Sequence, residues 1–360
     1  MALRPIIETC EPRPDVLSGG LTDAHFAAQL DQVVRSPEKY PVYGDPTEFF
    51  AITYPTQGLR DLLTSTFGRL SGQGGHVRGA EHGVVRFQTS FGGGKTHGLI
   101  AAYHLAKGAR PVAIGEFVDP ELLPDECQVA AVVGDALDPV GGVEIAGRRV
   151  KTIWGGIAAQ LGDGAWDAVS QQEETRTSPG KNVWVDIFES KPTLVIIDEI
   201  AAHMRSLSAS GDPDVRRQAE AIPSFLFNLF AAAAEVPTAR VIITLATAQD
   251  AFGKETTEVE KLFDPSSEAA REAQSVMSRY REVLVPAEDE EIAEILRRRL
   301  FARIDDHACR EAAEAYAEYY ADLDAREFRL GFGADVADKV RRSYPLHPEL
   351  VKVLDQRVGT

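Results

Sequence analysis

Three consecutive glycines followed by Lys-Thr constrain the fold of this chain more than any other part of its sequence. They lie in the segment RFQTSFGGGKTHGLIAAYHLAKG, which runs from residue 86 to residue 108. Glycine is costly at the start of a helix unless the backbone must approach a bound group closely. The apolar run VVRFQ before the glycines predicts a strand, and the alanine- and leucine-rich run after them predicts a helix. A strand, a glycine-rich turn, Lys-Thr and a helix form the phosphate-binding loop, or P-loop, of nucleotide-binding proteins.

The predicted loop supplies the groups that bind the phosphates of ATP together with Mg²⁺. Its backbone N–H groups and the helix N-terminus favour an anion, Lys95 is expected to reach the β- and γ-phosphates, and the Thr96 hydroxyl is expected to bind Mg²⁺. The usual pattern is G-x-x-x-x-G-K-[ST], and Thr89 stands here in place of the first glycine. The alternative is a glycine-rich turn that binds nothing. We predict that the nucleotide-binding residues are Ser90, Phe91, Gly92, Gly93, Gly94, Lys95, Thr96 and His97.

A second motif, TLVIIDEI, ends an apolar run in two adjacent carboxylates, Asp198 and Glu199. In P-loop proteins that hydrolyse nucleotides, the first acid after such a strand holds Mg²⁺, directly or through water. The second acid is placed to polarise the attacking water, so we predict that Glu199 is catalytic. The alternative is that Asp198 caps the helix that follows, although a cap needs only one acid.

Three further residues are candidates for the catalytic machinery. Thr247 ends the apolar run RVIITLAT, and in a parallel sheet it would lie at the ligand-binding edge. It could sense the γ-phosphate there or simply favour the strand. Arg279 and Arg281 precede the weaker apolar run EVLV, and either could reach the γ-phosphate of a neighbouring subunit as an arginine finger. A solvated basic turn is the alternative for these arginines. The arginine-finger hypothesis predicts a homo-oligomer on ATP binding.

Short apolar runs alternate with helical segments over the middle of the chain. The runs are VVRFQ (84–88), QVAAVVG (128–134), TLVIIDE (193–199), RVIITLAT (240–247) and EVLV (282–285). Such near-continuous apolar character is typical of strands that are buried on both faces. The alternation predicts an α/β fold in which a parallel sheet is sandwiched by helices.

The pattern of elements divides the chain into three parts. Residues 1–40 are predicted to be an N-terminal extension, and residues 41–286 are predicted to be the nucleotide-binding α/β core. Within the core, 137–192 is expected to be an insertion, with a hairpin that turns at Ala146-Gly147 and a later loop, QQEETRTSPGKN. After Pro286 the patterns are helical only, which predicts a helical lid over 287–360. The lid stops within an apolar-periodic segment, which is typical of the front portion of a longer protein; a compact native C-terminus is the alternative.

The formal net charge is −17, from 38 basic and 55 acidic residues. Such a surface repels phosphate backbones, which disfavours sequence-independent nucleic-acid binding by this chain alone and leaves direct DNA contact in an assembly open. The three cysteines are far apart, which suits a reducing compartment without a disulfide framework. No apolar run approaches membrane-spanning length. We predict a cytoplasmic protein with no membrane contact.

The motifs together resemble a known family. FQTSFGGGKTHGLIAAYHLAKG, LVIIDEI, VIITLAT, LVPAEDEEIAEILRRRLF and SYPLHPEL are similar to segments of large predicted AAA+ ATPases from phage-defence islands of bacteria and archaea. These ATPases are in turn similar to the ATPase subunit of BREX-type systems. The resemblance covers the chain from about residue 22 to residue 360 and extends to its departure from the usual P-loop pattern.

The resemblance implies an AAA+ core with a helical lid, and partner subunits such as a DNA methyltransferase, a phosphatase-like protein or a helicase. It also implies a nucleotide-sensing residue in the lid, for which Arg341, Arg342 and His347 are the candidates. The leading hypothesis is therefore an AAA+ module that hydrolyses ATP with Mg²⁺ to drive conformational change or assembly in a defence or DNA-modification system. The alternative is a switch or scaffold that binds ATP with negligible turnover, for which a water-polarising Glu199 has no use.

Overall fold

The computed structural model describes residues 3–18, 28–73, 75–88, 94–245, 283–284, 291–325 and 335–358. The chain forms two compact units. The larger unit comprises Ala28–Thr47 and Gln57–Pro286, and the smaller comprises Met1–Ala27, Glu48–Thr56 and Ala287–Thr360. Residues from both ends of the chain thus belong to the same unit.

The described helices and strands are numbered here in chain order. The helices are α1 Ile6–Thr9, α2 Pro14–Leu17, α3 Leu30–Arg35, α4 Pro41–Gly44, α5 Pro46–Ile52, α6 Gln57–Leu70, α7 Lys95–Ala106, α8 Ile153–Leu161, α9 Asp163–Thr175, α10 Lys181–Glu189, α11 Ile200–Ser208, α12 Pro213–Glu235, α13 Ile292–Leu300, α14 Asp306–Ala325, α15 Val336–Ser343 and α16 Pro348–Val358. The strands are β1 Cys10–Pro12, β2 Val84–Gln88, β3 Gln128–Val133, β4 Val143–Ile145, β5 Arg148–Val150, β6 Thr193–Asp198, β7 Ala239–Leu245, β8 Val283–Leu284 and β9 Phe301–Ile304.

The central sheet of the larger unit has the strand order β3-β6-β7-β2-β8. Neighbouring strands are parallel at every pairing. Each strand coincides with one of the five apolar runs, and helices α3, α6, α7, α8, α11 and α12 contact the strands. Every residue of β6 is buried, as expected for a strand that is covered on both faces. The predicted α/β fold, with a parallel sheet flanked by helices, is confirmed.

The segment 137–192 contains a β-hairpin and three helices. Strands β4 and β5 pair antiparallel, and the turn between them holds Ala146 at φ 48° and Gly147 at φ 74°. This confirms the predicted hairpin. The predicted loop is wrong at both ends, because QQEET completes α9, which ends at Thr175, and Lys181-Asn182 begin α10. Helix α9 continues through QQEET because Val169 and Glu173 are buried along its inner face.

A buried arginine anchors the connector between α6 and β2, whose glycine-rich composition predicts flexibility. The Arg69 side chain is 4% exposed. Its guanidinium donates to the backbone carbonyls of Ala80, Glu81, Ala233, Val236 and Ala239 at distances of 2.5 to 3.3 Å. Arg240 is fully buried and donates to the Gly79 carbonyl at 3.0 Å. The connector is therefore held against the start of β7 by two guanidinium groups.

Replacing Arg69 with methionine is expected to lower the free energy of unfolding by about 3 kcal/mol, because several buried carbonyl groups lose their donor. Urea unfolding measures the change. The matched control is Arg78→Met, which alters an exposed arginine of the same connector. Equal effects of the two substitutions would contradict an anchoring role for Arg69.

The smaller unit joins the N-terminal segment to the last four helices. Strand β1 pairs antiparallel with β9, with Cys10 opposite Ile304. The Asp15 carboxylate forms an ion pair with Arg299 at 2.7 Å. No helix in the described parts of the chain is both long and apolar enough to cross a membrane.

Candidate functional site

The carboxyl ends of β2, β6 and β7 lie at one edge of the sheet, because the strands are parallel. In the register, Ile197 of β6 lies beside Ile243 of β7, and Thr244 lies beside Phe87 of β2. The next residue of β6 is Asp198, so it reaches this edge alongside Thr244. The edge where parallel strands end is the usual position of a ligand site in such sheets.

The helix that follows the predicted P-loop begins as the sequence predicts. Gly94 lies at its N-cap with φ 76° and ψ 15°, a left-handed conformation that glycine adopts without strain. Lys95, Thr96 and His97 form the first turn of α7, and each is partly exposed. The predicted residues Ser90, Phe91, Gly92 and Gly93 lie outside the described residues. The described part of the motif thus places Lys95 and Thr96 at a helix N-terminus that follows β2.

Asp198 is the buried acid of the pair, with 3% of its surface exposed. Its Oδ1 accepts hydrogen bonds from the Thr244 hydroxyl and from the Glu199 backbone N–H, the latter at 3.1 Å. Burial raises the pKa of Asp198, whereas these two hydrogen bonds and the Lys95 ammonium lower it. The Lys95 side chain therefore lies near enough to Asp198 for the two charges to interact. The sequence alone does not identify Thr244 as a site residue, because only the strand register shows that it lies beside Asp198.

Glu199 differs from its neighbour in exposure and in backbone conformation. Its side chain is exposed, and its backbone has φ 53° and ψ 37°, the left-handed region. Its N–H lies 3.3 Å from the Thr244 hydroxyl oxygen. Glu199 occupies the N-cap position of α11, and its own side chain makes no capping hydrogen bond. Asp198 lies one residue before the N-cap position, and its Oδ1 accepts from the Glu199 N–H at the start of this helix.

The turn after β3 packs closely against the start of α11. Gly134 begins this turn, and a methyl group on its Cα would lie 2.6 Å from the Glu199 carbonyl oxygen and 2.7 Å from the His203 Cβ. Asp135 is exposed and raises the pKa of Asp198 by charge repulsion. No motif in the sequence marks these residues, because their role depends on a contact between two separate segments.

His97 and His104 share a face of α7, as their spacing predicts. The His97 ring meets the Tyr43 ring edge to face, with 6.0 Å between the ring centroids. The His104 Nε2 lies 2.7 Å from the Tyr43 backbone oxygen, and burial lowers the pKa of His104. Both histidines thus link α7 to α4, and these contacts help to hold the first turn of α7 in place.

The remaining predicted site residues divide into two groups. Thr247, Arg279 and Arg281 lie outside the described residues. The candidate sensing residues of the lid lie in the smaller unit, where Arg341 and Arg342 both form ion pairs with Asp338. There the His347 Nε2 lies 2.5 Å from the Tyr320 hydroxyl.

His203 gives the site a pH-dependent contribution to stability. The side chain is 1% exposed, and burial lowers its pKa from 6.5 to about 4. Between these two values the unfolded chain binds a proton that the folded chain does not. The free energy of unfolding is therefore expected to fall as the pH drops from 6.5 to 4, by up to about 3 kcal/mol. The contribution of His203 to the free energy of unfolding is fully present above pH 6.5.

The measurement is urea unfolding at several pH values between 4 and 7. His203→Leu should show a smaller decrease over this range than the wild type, because the buried titrating group is absent. The control is His76→Leu, which removes an exposed histidine from the connector. An identical pH dependence in wild type and His203→Leu would contradict the prediction.

The donor set fits Mg²⁺ bound together with phosphates. The described residues contain no group of three or more His, Cys, Asp or Glu side chains placed to hold a metal ion. Mg²⁺ in nucleotide sites needs none, since it keeps several waters and binds one or two carboxylates plus phosphate oxygens. Asp198 provides such a carboxylate, and Thr96 adds a hydroxyl oxygen as a further ligand. A divalent cation would also favour the charged form of Asp198, which burial disfavours.

Comparison with known proteins gives a family match. Residues 7–283 match the model of the DUF499 N-terminal domain, and residues 287–359 match the model of the DUF499 second domain. The boundary predicted near residue 286 lies between the two matched stretches. No curated protein and no solved structure matches the chain.

Proposed function

We propose that this chain, which belongs to the DUF499 family, is a P-loop ATPase module of the AAA+ type that hydrolyses ATP with Mg²⁺. The observation that carries the proposal is the pair of unlike acids at the end of β6. Asp198 is buried, bonded to Thr244 and influenced by Lys95, whereas Glu199 is exposed beside it. Two carboxylates in different environments are suited to two different tasks at one site.

Lys95, Thr96 and Asp198 are assigned to binding. The Lys95 ammonium compensates the charge of the β- and γ-phosphates, and the N-terminus of α7 adds partial positive charge. Thr96 and Asp198 would hold Mg²⁺, which supplies charge compensation on the phosphate oxygens when it is bound. Thr244 fixes the orientation of Asp198 through the bond to Oδ1.

Glu199 is assigned to activation of the attacking water. An exposed carboxylate at the ligand edge of the sheet can accept a proton from water or orient it toward the γ-phosphate. The left-handed backbone at Glu199 points to the same role, because strained residues cluster at catalytic sites. A switch without turnover would not need this acid, so slow hydrolysis with tight ATP binding would favour that alternative.

Assembly and cellular context are part of the proposal. An arginine finger from a neighbouring subunit, Arg279 or Arg281, would complete the site, so ATP should promote homo-oligomers. The motif resemblance to phage-defence ATPases supports a role beside other subunits of a defence or DNA-modification system. Sedimentation with and without ATP tests the assembly.

The Asp198→Asn variant tests the proposed metal-binding role. In the wild type, ATP with Mg²⁺ should raise Tm more than ATP with EDTA, because ligands that bind the folded state stabilise it. Asp198→Asn should lose this difference. Its Oδ1 can still accept from Thr244 and Glu199, and a buried charge is removed, so Tm without nucleotide should not fall.

The matched control is Asp167→Asn, an exposed acid on α9. It should keep the Mg²⁺-dependent increase in Tm. An increase of equal size in Asp198→Asn and the wild type would contradict the assignment of Asp198.

A further inference from the structure

Glu199 is held in a backbone conformation that a residue with a Cβ rarely adopts. Its φ of 53° and ψ of 37° lie in the left-handed region, and among the described residues only Ala146 and Arg176 are other non-glycine residues with positive φ. Such a conformation costs on the order of 1 kcal/mol or more and persists only where the surroundings enforce it. The question is which contacts enforce it at Glu199.

Two residues, Gly134 and His203, enclose the backbone of Glu199. The Glu199 carbonyl oxygen accepts a hydrogen bond from the His203 N–H at 3.2 Å. Gly134 also lies against this carbonyl, because an added Cβ on Gly134 would come within 2.6 Å of its oxygen. Gly134 itself does not have a positive φ, so it is the close contact, rather than its own conformation, that requires glycine.

The His203 side chain joins the two segments. A hydrogen bond with the Gly134 backbone raises the pKa of His203, so the ring donates to the Gly134 carbonyl. Nε2 is buried and has no hydrogen-bond partner among the described residues. We therefore assign the hydrogen bond with Gly134 to Nδ1, which corresponds to the neutral tautomer with its proton on that atom.

We propose that Gly134 and His203 form a bracket that holds Glu199 in its left-handed conformation and so positions its carboxylate for the attacking water. The catalytic consequence of this bracket rests on the proposed ATPase function. Gly134 and His203 are positioning residues, since neither is assigned a contact with substrate. The bracket thereby acts on turnover more than on nucleotide binding, because Lys95 and Thr96 lie on a different element.

The first test is the Gly134→Ala variant. The added methyl group must displace the Glu199 carbonyl or the turn, so kcat should fall about tenfold to a hundredfold while KM and Kd for ATP stay within about twofold. The control is Gly164→Ala on α9, where an added Cβ meets open space. Unchanged kcat in Gly134→Ala, in a wild type that hydrolyses ATP, would overturn the bracket and leave the proposed function intact.

Two substitutions of His203 separate positioning from simple packing. The side-chain amide of asparagine can replace the Nδ1 donor, whereas that of glutamine extends toward the position of Nε2. His203→Asn should therefore keep kcat close to wild type, and His203→Gln should lower it as Gly134→Ala does. Both variants should lose some thermal stability. If both variants lowered kcat in proportion to their loss of Tm, whether or not they keep the donor to Gly134, the proposal would be overturned.

A second experiment does not depend on ATP hydrolysis. Glycine relieves the strain at position 199 and alanine does not, so Tm of Glu199→Gly should exceed Tm of Glu199→Ala by about 2 °C. The same pair in a Gly134→Ala background should show a much smaller difference, because the bracket no longer enforces the conformation. An equal difference in both backgrounds would overturn the bracket. An absence of ATP hydrolysis by the wild type would overturn only the proposed function.

Discussion

The Glu199→Gln variant is expected to bind ATP as tightly as the wild type and to release phosphate at least about a hundredfold more slowly. Glutamine has nearly the same shape, so the backbone bonds around position 199 can stay in place. It cannot accept a proton, so the attacking water loses its base. Asp198, Thr96 and Lys95 are unchanged, which is why binding should be preserved. The measurement is steady-state phosphate release combined with calorimetric titration of ATP.

The control for this variant is Glu189→Gln, which alters an exposed acid at the end of α10. Its turnover should equal that of the wild type. If Glu199→Gln also hydrolysed ATP at the wild-type rate, another group would activate the water. The difference in burial between Asp198 and Glu199 would then be unrelated to catalysis.

The Lys95→Ala variant is expected to lose well over tenfold in ATP affinity. A hydrogen bond between charged groups contributes about 1.5 to 3 kcal/mol, and 1.4 kcal/mol corresponds to a tenfold change in Kd. The Lys95 side chain is partly exposed and lies in the first turn of α7, so its removal should not unfold the chain. Calorimetric titration with ATP measures the loss.

Lys107→Ala is the matched control, because Lys107 is an exposed lysine at the opposite end of the same helix. It should bind ATP with unchanged affinity. Equal affinities of Lys95→Ala and the wild type would contradict the P-loop assignment. Such a result would leave the glycine-rich turn as a structural feature only.

Local patterns in the sequence predict the parts of this fold that depend on local interactions. The apolar runs coincide with the strands, because strands buried on both faces need apolar residues throughout. The hairpin at Ala146-Gly147 is predictable because a turn there requires residues that tolerate positive φ. The position of Asp198 and Glu199 at the end of a buried strand is also predictable from the sequence, because the apolar run stops at these two acids.

Contacts between distant segments are not predictable in this way. Thr244 bonds to Asp198 because β7 lies next to β6, and no local pattern specifies that neighbour. Gly134 looks like an ordinary turn glycine until the structure places it against Glu199. Arg69 lies in a helix whose pattern gives no sign that its guanidinium binds carbonyls from three other segments.

The same limit applies to the ends of the chain. Cys10 and Cys309 pack in one apolar cluster with Tyr344, although almost the whole sequence separates the two cysteines. The pairing of β1 with β9 creates this cluster. Short strands of three and four residues carry too little periodicity to be recognised from sequence alone.

The most direct test of the central claim is steady-state phosphate release from ATP by the wild-type chain, measured with Mg²⁺ and with EDTA. The assignment of Lys95, Thr96, Asp198 and Glu199 predicts saturable release that requires Mg²⁺. No release above background at saturating ATP and Mg²⁺ would contradict the claim that the chain hydrolyses ATP.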